Sequence, residues 1–306
     1  GGVIYQWETW SGRVAASFLL LLPGWLNANS SSDLLFLHKG AALLVLAAFV
    51  IVCRLTFVSL LAGIPRTLLW PLSFLGTAVL LGNVVELHAM LTWWPGAATF
   101  SLPGLAIVLC LPRLFESEPQ DRSGPATFAL TMLLVFASLS NVAAALFLVF
   151  LPLSLLVYGK FLLKRPLRFG RGFKWLAISI GLFGLVIALN APGNEVRLAM
   201  QDRPLRGDTA MAVVGGLGKW AEYAPVQLFF PGWIAWSLLI LLLRPSGATK
   251  TVAEALFPLL CWLFSVLGLL IAIHYGAGGG LPRRALNMLS VVGFFCVTAS
   301  VLHLRL

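Results

Sequence analysis

AALLVLAAFVIVC at residues 41–53 and PLLCWLFSVLGLLIAI at 258–273 carry no charge and show no alternation of polar with apolar residues. A transmembrane barrel strand would alternate over segments of about ten residues. Unbroken apolar runs read instead as helices, because a bilayer offers no water to backbone N–H and C=O groups and a helix pairs them within itself. Composition extends this reading to the whole chain. Hydrophobic residues make up 59% of the 306 and charged residues only 10%, where a soluble domain carries roughly a quarter charged. So little charge cannot cover a water-facing surface. The expected fold class is therefore all-α: one polytopic transmembrane helical bundle spanning residues 1–306.

The net charge of +10 does not point to nucleic acid, because the basic residues gather in short loops between apolar runs, as membrane insertion requires. The loop 159–174 holds Lys160, Lys164, Arg165, Arg168, Arg171 and Lys174 and no acidic residue, which makes it cytoplasmic. Counting from that anchor, spans are expected at about 175–190, 226–243, 254–274 and 286–303. Toward the N-terminus come a helix pair over 125–158 broken at SLSN (138–141), a short span at 101–112, and spans at about 67–85 and 36–53. The total is about eight or nine spans. Segment 13–28, interrupted by Pro23-Gly24, reads as an interfacial helix, and 209–224 as a segment on the outer surface. The chain starts with Gly1 rather than Met and shows no signal peptide, which leaves a further span upstream of Gly1 open.

The four cysteines lie in or beside apolar runs without a CxxC pair, so they read as small core residues. The four histidines are scattered, and no metal-ligand spacing forms. No P-loop, dinucleotide fingerprint or nucleophile elbow is present. No cofactor is evident, and a divalent metal is left open.

Polar residues that orientation does not explain fall mostly on the expected outer face, where basic residues run against the insertion bias. WETWSGR (7–13) joins Trp7, Glu8, Trp10 and Arg13. An interfacial aromatic belt accounts for its tryptophans but not for Glu8. Glu86 and His88 follow an apolar span, where a carboxylate is a functional candidate unless it is fully hydrated in the headgroup layer. WWPG (93–96) adds Trp93 and Trp94, which taken alone read as belt. Asn141 sits at the break of the helix pair. PGNEVR (192–197) follows a helix end and offers Asn194, Glu195 and Arg197, either a plain turn with a solvated ion pair or an anion site. GGGLPRR (278–284) presents Arg283 and Arg284 behind three glycines, suited to phosphate or to simple snorkelling.

In this order, WETWSGR, LTWWPGAATFSLP (91–103), the Ser-Asn break, ALNAPGNEVR (188–197) and LPRRA (281–285) resemble a family of bacterial polytopic proteins related to O-antigen glucosyltransferases, within the GT-C class of membrane glycosyltransferases. The resemblance spans nearly the whole chain. It implies a multi-pass protein of the bacterial inner membrane that transfers a sugar from a polyprenyl-phosphate carrier to a glycan or protein acceptor on the outer leaflet. It also implies that Arg13, Arg197, Arg283 or Arg284 hold the lipid phosphate and that Trp93 and Trp94 lie near sugar or lipid. One departure stands out. The catalytic Asp of such enzymes sits in the first outer loop, and here the first Asp is Asp33. Glu8, or an Asp upstream of Gly1, would then serve as base. Two rival classes remain open: a non-catalytic membrane subunit of a larger complex, and a lipid-linked sugar flippase or transporter, which would need broken helices and a mid-membrane ionisable group.

Overall fold

The computed structural model describes residues 13–21, 31–61, 64–91, 94–115, 124–161, 171–192, 207–243, 252–277 and 283–303. Among them every regular element is helical. The short helix α1 is Val14–Leu20, followed by α2 (Ser31–Leu60), α3 (Arg66–Gly82) and α4 (Leu87–Leu91). Helix α5 (Leu102–Phe115) is preceded by a turn at Trp94–Gly96 and a π-helical stretch at Ala97–Ser101. Then come α6 (Gly124–Ser140), α7 (Val142–Phe161), α8 (Arg171–Leu189), α9 (Thr209–Leu228), α10 (Pro231–Leu243), α11 (Val252–Ala277) and α12 (Arg283–His303). Six of the helical segments are long and apolar enough to cross a membrane alone, α9 and α10 qualify only as a pair, and α3 and α6 are shorter apolar helices. The chain is a multi-pass membrane protein of α-helices. Gly1 and the residues up to 12 lie outside the described residues, and so does the start of the chain on which the expectation of an upstream span and base turned.

Burial does not follow hydrophobicity. Helices α2 and α11 are the most apolar, yet only 39% of the residues in their most apolar stretches are buried, whereas 94% of Ala285–Leu302 in α12 are. Lipid tails are as apolar as leucine, so there is no gain in hiding an apolar face from them. Helices associate through close packing and hydrogen bonds, which small and polar residues supply. Helix α12 has these in Asn287, Ser290, Gly293, Thr298 and Ser300. It is the central pillar, with α3, α5, α10 and α11 packed around it. Large apolar side chains such as Leu43, Leu44, Phe74 and Leu242 stay exposed on the outer helices.

An aromatic column runs along the pillar. Trp233 packs against Trp262 and Phe294, with ring centroids 6.3 and 6.1 Å apart. Trp236 stacks on Phe57 at 5.5 Å and meets Phe294 at 5.3 Å. The buried indoles of Trp262 and Trp236 donate to Leu289 O at 3.0 Å and to Thr298 Oγ1 at 2.9 Å. These bonds keep the indole N–H groups satisfied in a water-free interior.

The break at residue 141 is observed where expected, between α6 and α7. Helix α8 packs against both. A Cβ built on Gly181 would stand 2.8 Å from Ala145 O, and one on Gly184 would meet Ser138 Oγ. Ser138 Oγ itself donates to Ile180 O at 2.8 Å.

One expectation is corrected, and a second segment takes its place in the fold. The segment 209–224 is helical. As part of α9 it docks lengthwise on α11, with Gly207 N donating to Tyr275 O at 2.9 Å and Trp220 Nε1 to Leu263 O at 2.9 Å. Gly207, at φ 81°, makes the turn into α9, and Asp208 caps that helix by accepting from Met211 N at 3.0 Å. The span drawn at 226–243 is in fact α10, whose 13 residues rise roughly 20 Å against a hydrocarbon core of about 30 Å. It is joined to α9 through a 51° bend. The bend falls where Pro231 removes a backbone donor.

The approach of α9 to α11 is set by glycine. A Cβ on Gly216 would sit 2.9 Å from both Ile271 Cα and Ile271 N, backbone atoms that cannot swing aside. Gly216→Leu is therefore expected to cost about 1–3 kcal/mol through overpacking, read as a lowered Tm of the purified protein in detergent. Gly218→Ala, at a glycine with open space around it, is expected to leave Tm unchanged. Equal Tm for Gly216→Leu and the unsubstituted protein would contradict this packing.

Candidate functional site

Several described basic residues lie at helix ends. Arg66 starts α3, while Arg113 and Lys160 lie in the last turns of α5 and α7. These helix ends, with the start of α8, form one end of the bundle, called here the basic end. At the opposite end meet the last turn of α3, helix α4, the π-helical stretch, the α6–α7 break, the start of α9 and the first turn of α12.

Two carboxamides build that opposite end. Pro103 has no N–H and cannot make the α-helical bond back to Thr99 O. The chain there widens into a π-turn, with Leu102 N donating to Ala97 O. Asn141 Nδ2 donates to the Thr99 carbonyl so released. The Asn141 Oδ1 accepts from Ala144 N at 2.7 Å, the N-cap bond that starts α7. Asn141 thus ties α5 to the α6–α7 break. Its side chain is buried and bonded at both polar atoms, so a role in lining a substrate would have to come from its backbone neighbourhood.

Asn287, at 1% exposure, does the equivalent for α12. Its Oδ1 accepts from Val85 N at 2.9 Å and Glu86 N at 3.1 Å, and its Nδ2 donates to Glu86 O at 2.9 Å. These bonds pin the non-helical backbone between α3 and α4 and pair its two amides. They also fix where Glu86 stands. Next to them, buried Asn83 Nδ2 donates to Gln227 Oε1 at 2.9 Å, and the Tyr223 hydroxyl lies 3.0 Å from Ser290 Oγ.

The expected site residues can be followed onto this frame. Arg13, immediately before α1, holds its Cζ 6.0 Å from the Phe100 ring centroid, a cation–π distance. Phe100 belongs to the π-helical stretch beside Thr99. Ser101 Oγ of the same stretch donates to Met90 O at 2.9 Å, which links it to α4. Glu86 precedes α4 and is half-buried, and His88 is exposed on α4. The backbone of Arg283 and Arg284 forms the first turn of α12, one turn before Asn287. Trp94 opens the helical turn that leads into the π-helical stretch. The fold thus brings Arg13, Glu86, His88, Trp94, Asn141 and the Arg283–Arg284 turn to one end of the bundle. Gly1, Trp7, Glu8, Trp10, Trp93, Asn194, Glu195 and Arg197 lie outside the described residues, so the expected base is not placed on this frame, whether it is Glu8 or an Asp upstream of Gly1.

Asn287, Asn83 and Gln227 were not singled out from the sequence. A buried amide leaves a faint signal: Asn287 was visible only as one polar residue at the start of an apolar run. Among the described residues no group of three or more His, Cys, Asp or Glu is placed to hold a metal ion. All four cysteines are buried and free. Comparison with protein-family models, with curated proteins and with solved structures finds no match for this chain.

Asn287→Ala leaves the Val85 and Glu86 backbone N–H groups without the acceptor they share and is expected to destabilise the fold by about 1–3 kcal/mol. Asn287→Asp keeps the acceptor and loses only the donor to Glu86 O, so its Tm should fall between those of Asn287→Ala and the unsubstituted protein. Thermal unfolding in detergent checks the order, and an Asn287→Ala Tm equal to that of the unsubstituted protein would refute the pinning role.

Proposed function

We propose that this chain is a GT-C-type glycosyltransferase of the bacterial inner membrane. It would take a sugar from a polyprenyl-phosphate donor on the outer leaflet and pass it to a surface glycan or a protein. The observation that carries this reading is the gathering of Arg13, Glu86 and the Arg283–Arg284 turn at the end of the bundle opposite its basic end. Cations there run against the insertion bias, so they ask for an anion. A donor that is both phosphorylated and attached to an apolar tail meets that requirement at a membrane interface.

In the reaction an acceptor hydroxyl oxygen attacks the anomeric carbon while the bond from that carbon to the phosphate oxygen breaks. The acceptor proton passes to a carboxylate, and negative charge grows on the departing polyprenyl phosphate. Guanidinium groups stabilise that charge as it develops. In this reading Glu8 is the base, Arg13, Arg197, Arg283 and Arg284 bind the phosphate, and Trp7, Trp10, Trp93 and Trp94 form the sugar and lipid platform. Asn287 acts indirectly, by holding the backbone of Glu86 beside the turn that carries the arginines.

The test is transfer of radiolabelled sugar from a polyprenyl-phosphate-sugar by the purified protein. Arg284→Ala and Glu8→Gln are each expected to lower turnover by about a hundredfold or more, with Tm unchanged. Normal turnover in both variants would end this assignment. Binding of the donor without any transfer by the unsubstituted protein would favour a non-catalytic, lipid-binding subunit instead.

A further inference from the structure

A second unusual cation lies toward the other end of the molecule, away from every residue assigned above. Arg54 lies within the apolar span Leu35–Leu60 of α2. Its Cζ stands 5.4 Å from the centroid of the Trp70 ring on α3. Its Nε is buried without a hydrogen-bond partner, and among the described residues no carboxylate pairs with it. The flank around it is open to lipid: Leu55 is 53% exposed, Val58 48%, Trp70 48% and Phe74 60%. A guanidinium on a lipid-facing flank, inside an apolar helix and with no counter-charge among the described residues, is costly unless an anion reaches it from the membrane.

We infer that Arg54 and Trp70 form a binding site for the phosphate of an anionic membrane lipid, in the leaflet at the basic end of the bundle. The geometry suits that ligand in two ways. The indole supports the guanidinium from one side, and a phosphate can accept two parallel bonds from arginine. The exposed leucine, valine and phenylalanine beside it offer a surface for acyl chains. A free inorganic ion would have to cross that apolar layer without any chain to carry it. Arg66 starts α3 at the same end and adds to the positive potential.

The experiment is native mass spectrometry of the purified, delipidated full chain, titrated separately with phosphatidylglycerol, phosphatidylcholine and inorganic phosphate. The unsubstituted protein is expected to retain one phosphatidylglycerol in preference to phosphatidylcholine and to retain no inorganic phosphate. Arg54→Ala should lower phosphatidylglycerol retention by about fivefold or more, and Arg54→Lys, which keeps the charge but loses the fork, should fall between. Trp70→Leu, with Arg54 intact, should weaken retention by about twofold or more. Circular dichroism confirms that the variants are folded. Equal retention of both lipids by the unsubstituted protein would overturn the proposal even if no variant folded. Undiminished phosphatidylglycerol retention in folded Arg54→Ala, or retention of inorganic phosphate to the same extent as the lipid, would also overturn it.

Discussion

Inside a bilayer a backbone group that leaves the helical pattern has no water to turn to, and this protein answers with carboxamides. Asn141 takes the carbonyl that Pro103 frees, and Asn287 takes both amides and the carbonyl of the stretch between α3 and α4. Each is a short side chain with a donor and an acceptor at fixed separation, which suits the bridging of two backbone segments. Without them the irregular stretches would carry unpaired polar backbone groups. Much of the end that gathers the candidate site rests on those two bridges.

The same constraint explains the order of burial. Helix α12 sits at the centre because it has the serines, threonine, glycine and asparagine that let neighbouring helices approach and bond. More apolar helices go to the rim, where lipid is as good a partner as protein. Glycines set the closest crossings, at Gly181 and Gly184 between α8 and the α6–α7 pair and at Gly216 between α9 and α11. Tryptophans fill the larger spaces against α12, and Trp236 and Trp262 bond their N–H groups to it. A core assembled in this way is stiff at the pillar. It can hold irregular backbone at one end without losing the bundle.

Cations mark both ends of the molecule. Arg66, Arg113 and Lys160 stand at helix ends of the basic end. Arg13 and the Arg283–Arg284 turn stand at the other end. They share it with Glu86 and with helix starts whose backbone is fixed by side-chain bonds. Arg54 is a third case: it lies inside a span rather than in a loop, and it has an indole for company instead of a carboxylate. In each case the position of the charge relative to the membrane, more than its sign, makes it informative.

The class of the fold was legible in the sequence because lipid imposes it: long runs such as 41–53 and 258–273 leave helices as the available solution. The break at Asn141 was legible too, since a Ser-Asn pair interrupts an apolar run too long for one span. The 51° bend between α9 and α10, the docking of α9 on α11 and the central place of α12 were not. Hydropathy measures how well a helix tolerates lipid, and that quantity says nothing about which helices find each other. Gly216 and Asn287 decide such matters through atoms on distant segments, at Ile271 and at Val85–Glu86. Their partners exist only once the chain has folded, so a pairing across the bundle is a property of the tertiary structure alone.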